Sequence, residues 1–408
     1  MSRNLIEARL IEALSTDQRR EIENIRAAAE RIWARPLHRY YTDHTISHSE
    51  RIITRLDGLT AGMMATDKRL NRTEIFILLA AAYLHDIGMQ NERFAGGDLE
   101  QIREEHNEQS AEMIYAVFEN PTGAFPIAFP DQPTLVEAVA LVSKGHRRVD
   151  LAGLDYEPLP YEDGILRLRL LAALLRFGDE LDIDHRRVDM EMIKLAALPT
   201  DSQLHWWKCY YVSGVSIVDE YIRVAYRFPQ ARPDYAQLII PLVEDEIRAK
   251  RAALEPIFWG DGVKVALGPP QVRPMRLIEP MPAEVEAEAR GYTPAKDQTP
   301  VQTEVREVTD ITRPIHSGPD PITQTKQTPQ PSDPTTPPDL TTIQEAVSQT
   351  FGDPALVTFC YDHYRPVYDR FSAATTERSK IRRLVNYCRD QGAAELERLW
   401  RLVTEAGR

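Results

Sequence analysis

The feature that most limits what this chain can fold into is the stretch Ala80-Ala81-Ala82-Tyr83-Leu84-His85-Asp86-Ile87-Gly88. An apolar run suited to a buried helix ends in an adjacent imidazole and carboxylate, and a glycine follows. Burying that pair is unfavourable unless both groups are paired or bound to a cation. A lone His-Asp pair can equally be a neutral histidine beside a capped aspartate, so its meaning depends on the rest of the chain. Four more residues bear on it: His48 in a polar, helix-starting context, His106 and His146 further on, and Asp179 at the end of a second apolar helix.

The 408 residues are enough for two or three domains. Hydrophobic residues make up 43% and charged residues 27%, the balance of a soluble globular protein. A net charge of −13 argues against a chain-wide surface for nucleic acid or anionic membrane, while leaving room for a local basic pocket. The three cysteines, Cys209, Cys360 and Cys388, form no CxxC pair, so a reducing interior is the simplest compartment. The N-terminus has no signal-peptide core, and no apolar run approaches the roughly 18 residues of a membrane helix. A cytoplasmic protein is expected.

Residues 2–35 read as one helix ended by Pro36. A second helix follows Asp43, with Ile52, Ile53, Leu56 and Leu59 on one face. His44 and His48, four apart, share a face if both are helical. The central helix spans 73–87, with Thr73 as N-cap and Gly88 as stop. Further helices are expected over 100–118, 134–144 and 164–180, with a Pro/Gly-rich loop from Glu119 to Pro133 that could cover the site. The helix ending Ser143-Lys144-Gly145-His146-Arg147-Arg148 has two readings: a basic C-terminus suited to the helix dipole, or a ligand with cations facing an anion. Arg176, one turn before Asp179, either meets a phosphate or pairs with Glu180 or Asp182. From about 200 the pattern changes. Trp207–Val212 and Tyr221–Phe228 read as strands joined around Gly214 or Asp219, 234–258 as helix, and Val263–Leu267 as a third strand. Residues 286–340, rich in Pro, Thr and Gln, cannot bury enough apolar surface to order and read as a disordered tether. Residues 341–408 recover helical spacing and predict a bundle of about five short helices.

The order H…HD…H…H…D, carried by His48, His85-Asp86, His106, His146 and Asp179, resembles the HD-domain metal-dependent phosphohydrolase superfamily. The sequence Arg176-Phe177-Gly178-Asp179-Glu180-Leu181-Asp182 is similar to an ending found in HD domains of bacterial conflict and signalling systems. The resemblance covers about 40–190. It implies a helical HD-type bundle; with the strand and helix pattern beyond 200, the expected fold is mainly α, an HD-type domain within 1–285 that carries a small α/β appendage over about 200–270. It implies that His48, His85, Asp86 and Asp179 hold one ion, and that His106 and His146 hold a second, bridged by Asp86. His44 is then a substrate-side group or an exposed cap residue. The segments around Phe351-Gly352-Asp353-Pro354 and Lys380–Arg389 are similar to death-like, effector-associated adaptor domains, which recruit protein partners bearing a matching copy.

Imidazole with carboxylate suits one or two divalent transition ions, Mn, Fe, Co, Ni or Zn. Such ions activate water, and Lys144, Arg147, Arg148 and Arg176 could stabilise phosphoryl charge. A phosphohydrolase acting on a small-molecule phosphoester, nucleotides first, is the leading expectation, with a protein partner reached through 341–408. Asp86, Lys144 and Arg176 are the candidate catalytic residues, and His44, Lys144, Arg147, Arg148 and Arg176 the candidate substrate-binding residues. Two other readings stand beside it: a di-iron oxygenase, because the same ligand order serves that chemistry within the superfamily, and a non-catalytic nucleotide-sensing adaptor.

Overall fold

The computed structural model describes residues 5–34, 43–91, 99–119, 132–162, 164–190, 200–276, 280–291, 340–368, 371 and 377–407. The chain divides into two compact units, one within Met1–Gln298 and one within Thr299–Phe371 and Glu377–Arg408. The fold is mainly helical with small sheets, as the sequence predicts.

The first unit opens with α1 (Arg9–Glu12) and α2 (Thr16–Trp33) where one helix is expected. Ser15 divides them. Its side chain accepts from the Gln18 N–H while the Gln18 side chain accepts from the Ser15 N–H, a reciprocal cap that starts a new helix. Helix α3 (Ile46–Met64) starts at Thr45, so His44 lies outside it and does not share its face with His48. Helix α4 (Arg72–Leu84) is the centre of the unit. Every residue from Glu74 to Leu84 is buried, and α2, α3, α6 (Pro133–Lys144) and α7 (Leu168–Glu180) pack around it. Asn71, not Thr73, is its N-cap, in a reciprocal pair with Glu74. Glu74 also receives Arg167 Nε at 2.9 Å and Nη2 at 2.8 Å, which ties the start of α7 to the start of α4.

A turn of 3-10 helix, Ile87–Gln90, follows Asp86, and α5 (Leu99–Glu119) packs against it. Gly88 makes that contact possible. A Cβ there would stand 2.1 Å from the His106 carbonyl oxygen and 2.5 Å from the Ser110 nitrogen. Its own N–H donates to Ser110 Oγ at 2.8 Å. Gly145 does the same for α6 and α7, since its Cβ would meet Ala172 Cβ at 2.5 Å. The expected start of α7 at Gly164 is instead a small hairpin, β1 (Leu159–Tyr161) with β2 (Gly164–Leu166).

The appendage differs from the expectation in several elements: the third strand is only Ala266–Leu267, a further strand and a further helix follow it, and the first expected strand is helical. Residues Trp207–Tyr211 are not strand but the end of α8 (Thr200–Tyr211). Leu204, Trp207 and Tyr211 recur at helical spacing and are buried; Trp207 stacks on Tyr211 at 5.7 Å and Tyr211 meets Tyr235 at 5.5 Å. Aromatic packing thus overrides the strand preference of these residues. β3 (Val212–Val218) and β4 (Tyr221–Pro229) form an antiparallel pair turned at Asp219 and Glu220, both with positive φ, the backbone of a two-residue hairpin turn. Gly214 lies at a shift of register in the same pair. β5 (Ala266–Leu267) and β6 (Gln271–Met275) run parallel to β4. Helices α9 (Asp234–Asp261) and α10 (Ala283–Gly291) complete the unit. α10 occupies the first residues of the expected tether; the rest of that stretch, 292–339, and most of the expected loop, 120–131, lie outside the described residues.

Among its described residues the second unit has five short helices, α11 (Leu340–Thr350), α12 (Asp353–His363), α13 (Arg365–Tyr368), α14 (Glu377–Gln391) and α15 (Ala393–Ala406). Ile343, Val347, Leu356, Phe359, Cys360, Leu384, Val385, Cys388, Leu399 and Val403 are buried in it. Lys380 spans α14 to the Asp353 carboxylate at 2.8 and 2.9 Å. Among the described residues no helix is long and apolar enough to cross a membrane.

Gly88→Ala is expected to destabilise the protein by about 1–3 kcal/mol, because backbone, not a flexible side chain, must move. Gly260→Ala, at a helical position with nothing within 4 Å, should be neutral or stabilising. Urea unfolding of both variants checks the pair.

Candidate metal centre

The helix ends bring the six candidate ligands together. His85 is the C-cap of α4 and Asp86 the next residue. His146 follows Gly145, the C-cap of α6, and Asp179 lies in the last turn of α7. His48 stands in the first turn of α3, and His106 in α5. Three interlocking groups form: His48, His85 and Asp86; His85, His146 and Asp179; and Asp86, His106 and His146, the donor atoms of each within 4.8 Å of one another.

Asp86 is shared by opposite sides. Its Oδ2 faces His85 Nε2 at 3.1 Å and His48 Nε2 at 3.5 Å. Its Oδ1 faces His106 Nε2 at 3.3 Å and His146 Nε2 at 3.4 Å. Asp179 Oδ1 lies 3.3 Å from His48 Nε2. The carboxylate of Asp86 thus addresses two imidazoles with each oxygen.

Hydrogen bonds on the outer side fix the imidazoles. Nδ1 of His85, His106 and His146 meets the carbonyl oxygens of Ala82, Ile102 and Ser143 at 3.1, 2.9 and 2.6 Å. A carbonyl only accepts, so each Nδ1 carries a proton, and in the neutral ring Nε2 is a bare lone pair pointing inward. His48 is set from further away: its Nδ1 lies 2.7 Å from Asp182 Oδ2.

The inward side lacks such partners. His48 Nε2 and His85 Nε2 are buried without a hydrogen-bond partner. His106 Nε2 and His146 Nε2 face each other at 3.1 Å, lone pair to lone pair in the neutral tautomers. Buried polar atoms arranged this way are unfavourable unless a cation lies between them. The residues therefore fit a divalent cation, which these imidazole and carboxylate donors could hold.

Electrostatics agree with a cation-binding pocket. Burial pushes the Asp86 carboxyl up, but the imidazoles, His85 first, hold it well below the usual carboxylate range. Asp179 is likewise held down against burial by His48 and His85. Burial lowers His146 to about 4 against the pull of Asp86, which keeps the ring neutral. Burial and Arg187 push His48 down, yet Asp179, Asp182 and Asp86 raise it to about 10, a measure of how much negative charge surrounds it.

The other candidate residues lie as follows. His44 stands beside His48 with ring centroids 5.4 Å apart, and its Nε2 accepts from Arg187 Nη2 at 3.3 Å. Burial, with the Arg187 charge, lowers it to about 3. Lys144 pairs with Glu108 at 3.1 Å, Arg147 Nη2 donates to the Arg103 carbonyl at 3.1 Å, and Arg148 is exposed. Arg176 makes neither of its expected salt bridges. Its Nε and Nη2 donate at 2.9 Å to the carbonyls of Gly145 and Val149, fastening the turn that carries His146. Glu180 pairs instead with Lys250 at 3.5 Å.

Sequence reasoning gave Arg51 and Arg187 no part in the site and placed Asp182 only as a possible partner of Arg176. Asp182 is fully buried, and Arg51 Nε donates to its two oxygens at 2.8 and 3.0 Å. Arg187 Nη1 donates to its carbonyl at 2.8 Å. The signal was spacing: Arg51 follows His48 by three residues on α3, and Asp182 follows Asp179 by three.

The model of the family described as HD-CE matches residues 38–257, more than half of the chain. Comparison with curated proteins finds no match.

Arg176→Ala is expected to lower unfolding free energy by about 2 kcal/mol or more, since two hydrogen bonds from a charged, largely buried donor are lost. Denaturant unfolding measures it.

Proposed function

The chain belongs to the HD-CE family, and from that premise we propose that it is a metal-dependent phosphohydrolase acting on a small phosphoester, nucleotides first. The observation that carries this is the convergence of His48, His85, Asp86, His106, His146 and Asp179, with buried Nε2 atoms left for a cation. Bound there, one or two divalent ions would bring the pKa of water toward neutrality and stabilise charge on a phosphoryl group.

The chain's own part is arrangement. Outer hydrogen bonds hold the imidazoles in the tautomer that offers Nε2 inward. Burial keeps the donors dry: the side chains of His48, His85, Asp86, His106 and His146 are at most 7% exposed. Asp179 differs at 24%, so the side that it faces is the route for substrate. His44, Lys144, Arg147 and Arg148, in the segments flanking His48 and His146, supply polar and cationic groups for substrate oxygens. We assign to 341–408 a role in recruiting a protein partner, supported by its separate helical core and by its likeness to adaptor domains.

A second reading rests on the same donor set. Four imidazoles around a carboxylate that faces both ways also suit a di-iron centre for oxygen chemistry.

The test is metal analysis of purified protein, then phosphate release from a nucleotide panel with Mn, Co, Ni or Fe added. Hydrolysis is expected in the loaded protein, and His85→Ala/Asp86→Ala should fall to the level of metal-stripped protein while keeping its helical circular dichroism. Oxygen consumption by iron-loaded protein without phosphate release would replace the hydrolase reading with the oxygenase one.

A further inference from the structure

We propose that Asp182 is a positioning residue that sets the tautomer of His48 and, through it, the hold of the metal position made by His48, His85, Asp86 and Asp179; this rests on the metal-centre reading above. His48 differs from the other three histidines. Their Nδ1 protons go to carbonyls three or four residues back in the chain, a partner that any helical turn supplies. The Nδ1 of His48 goes to a carboxylate 134 residues away. A carboxylate is the stronger acceptor, and it makes the opposite ring nitrogen a better donor to a metal.

The placement of that carboxylate is determined on every side. Asp182 is 0% exposed, so its charge needs compensation. Arg51 Nε supplies it to both oxygens, and Arg51 is anchored in turn by Asp43, 3.2 Å from Nη2. Arg187 holds the main chain at the Asp182 carbonyl, with its Nε 3.7 Å from Oδ2. Asp179 and Asp182 stand three apart where α7 ends, and they bracket one ring: Asp182 takes the outer nitrogen at 2.7 Å and Asp179 faces the inner nitrogen at 3.3 Å. The end of α7 therefore delivers a ligand and the residue that orients another ligand.

Asparagine at 182 keeps the shape and removes the logic. Arg51 donates to both oxygens of the native carboxylate, so an asparagine that keeps its one oxygen at the Oδ1 position for Arg51 turns its amide N–H2 toward His48 Nδ1, to which it can donate. The ring then takes the other tautomer, with Nε2–H pointing at the ligands, as an aspartate-to-asparagine change does to the histidine of a serine-protease triad.

The experiment uses the full chain and cobalt(II) as probe. Asp182→Asn is expected to bind cobalt about 10–100-fold more weakly than wild type and to change its visible d–d spectrum. Asp184→Asn, also buried but paired with Arg55 and Arg186, should retain the wild-type spectrum and affinity. Equal affinity and spectrum in wild type and Asp182→Asn would overturn the proposal. Should Asp182→Asn not fold, imidazole 15N spectra of wild type decide: a proton on His48 Nδ1 supports the assignment and one on Nε2 alone refutes it. Wild type that binds no cobalt would overturn the metal centre itself. That failure is distinguishable, because the 15N spectrum of the metal-free protein still reports the His48–Asp182 bond.

Discussion

One buried carboxylate governs this molecule. Asp86 has a 7% exposed side chain and faces the Nε2 atoms of four imidazoles, two on each oxygen. Burial alone would favour its neutral form; the imidazoles reverse that. With the outer carbonyls holding Nδ1 protonated, neutral rings would turn lone pairs toward this carboxylate, an arrangement that a divalent cation among the donors would relieve. Much of the surrounding fold serves this geometry. Gly88 lets α5 press His106 toward Asp86, and Gly145 lets α7 press against the turn of His146.

Helix ends are the device by which distant residues meet. A residue at a C-cap or in a last turn projects beyond the packed helix, so apolar contacts along the shaft fix its position without crowding it. α4, α6 and α7 place His85, His146 and Asp179 this way, and all three pack against one another. The shafts are almost wholly apolar: Ile75–Leu84, Val136–Val142 and Leu168–Leu175 supply much of the core. Rigidity at the site is therefore bought by burial elsewhere, which is how such elements hold donors within the tolerance that metal binding demands.

How much of this was legible in the sequence depended on the range of the interaction. The candidate ligands could be read because each stands at a break between apolar and polar pattern, and because their order resembles that of a family. The short helices of 341–408 could be read from spacing alone, and the five found lie where the pattern puts them. The cap at Asn71 and the division at Ser15 were missed, although both carry a reciprocal Glu or Gln three residues later. The α8 assignment failed for another reason. Trp206-Trp207-Lys208-Cys209-Tyr210-Tyr211 has strand-forming residues, and only packing of Trp207 and Tyr211 against Tyr210 and Tyr235 makes it helical. The Asp182 network was hidden because its partners are 131 and 134 residues apart in the chain.

The appendage belongs to the same physical unit as the bundle. Tyr211, Ile222, Val224, Tyr226 and Phe258 share one contiguous apolar core with Ile52, Leu79 and Leu174. The contact is tight: a Cβ at Gly58 on α3 would stand 2.8 Å from Ile217 Cβ on β3. The family match likewise runs past the last candidate ligand, Asp179, through the strands and into α9, ending at 257. α3 carries His48 and Arg51 at its start and takes the sheet along its length, so the strands brace the helix that presents one ligand. One core thus joins Tyr226 in the sheet to the helices that carry the candidate ligands. The second unit has its own buried set, from Ile343 to Val403. Among the described residues, the groups that could hold a metal ion all lie in the first unit.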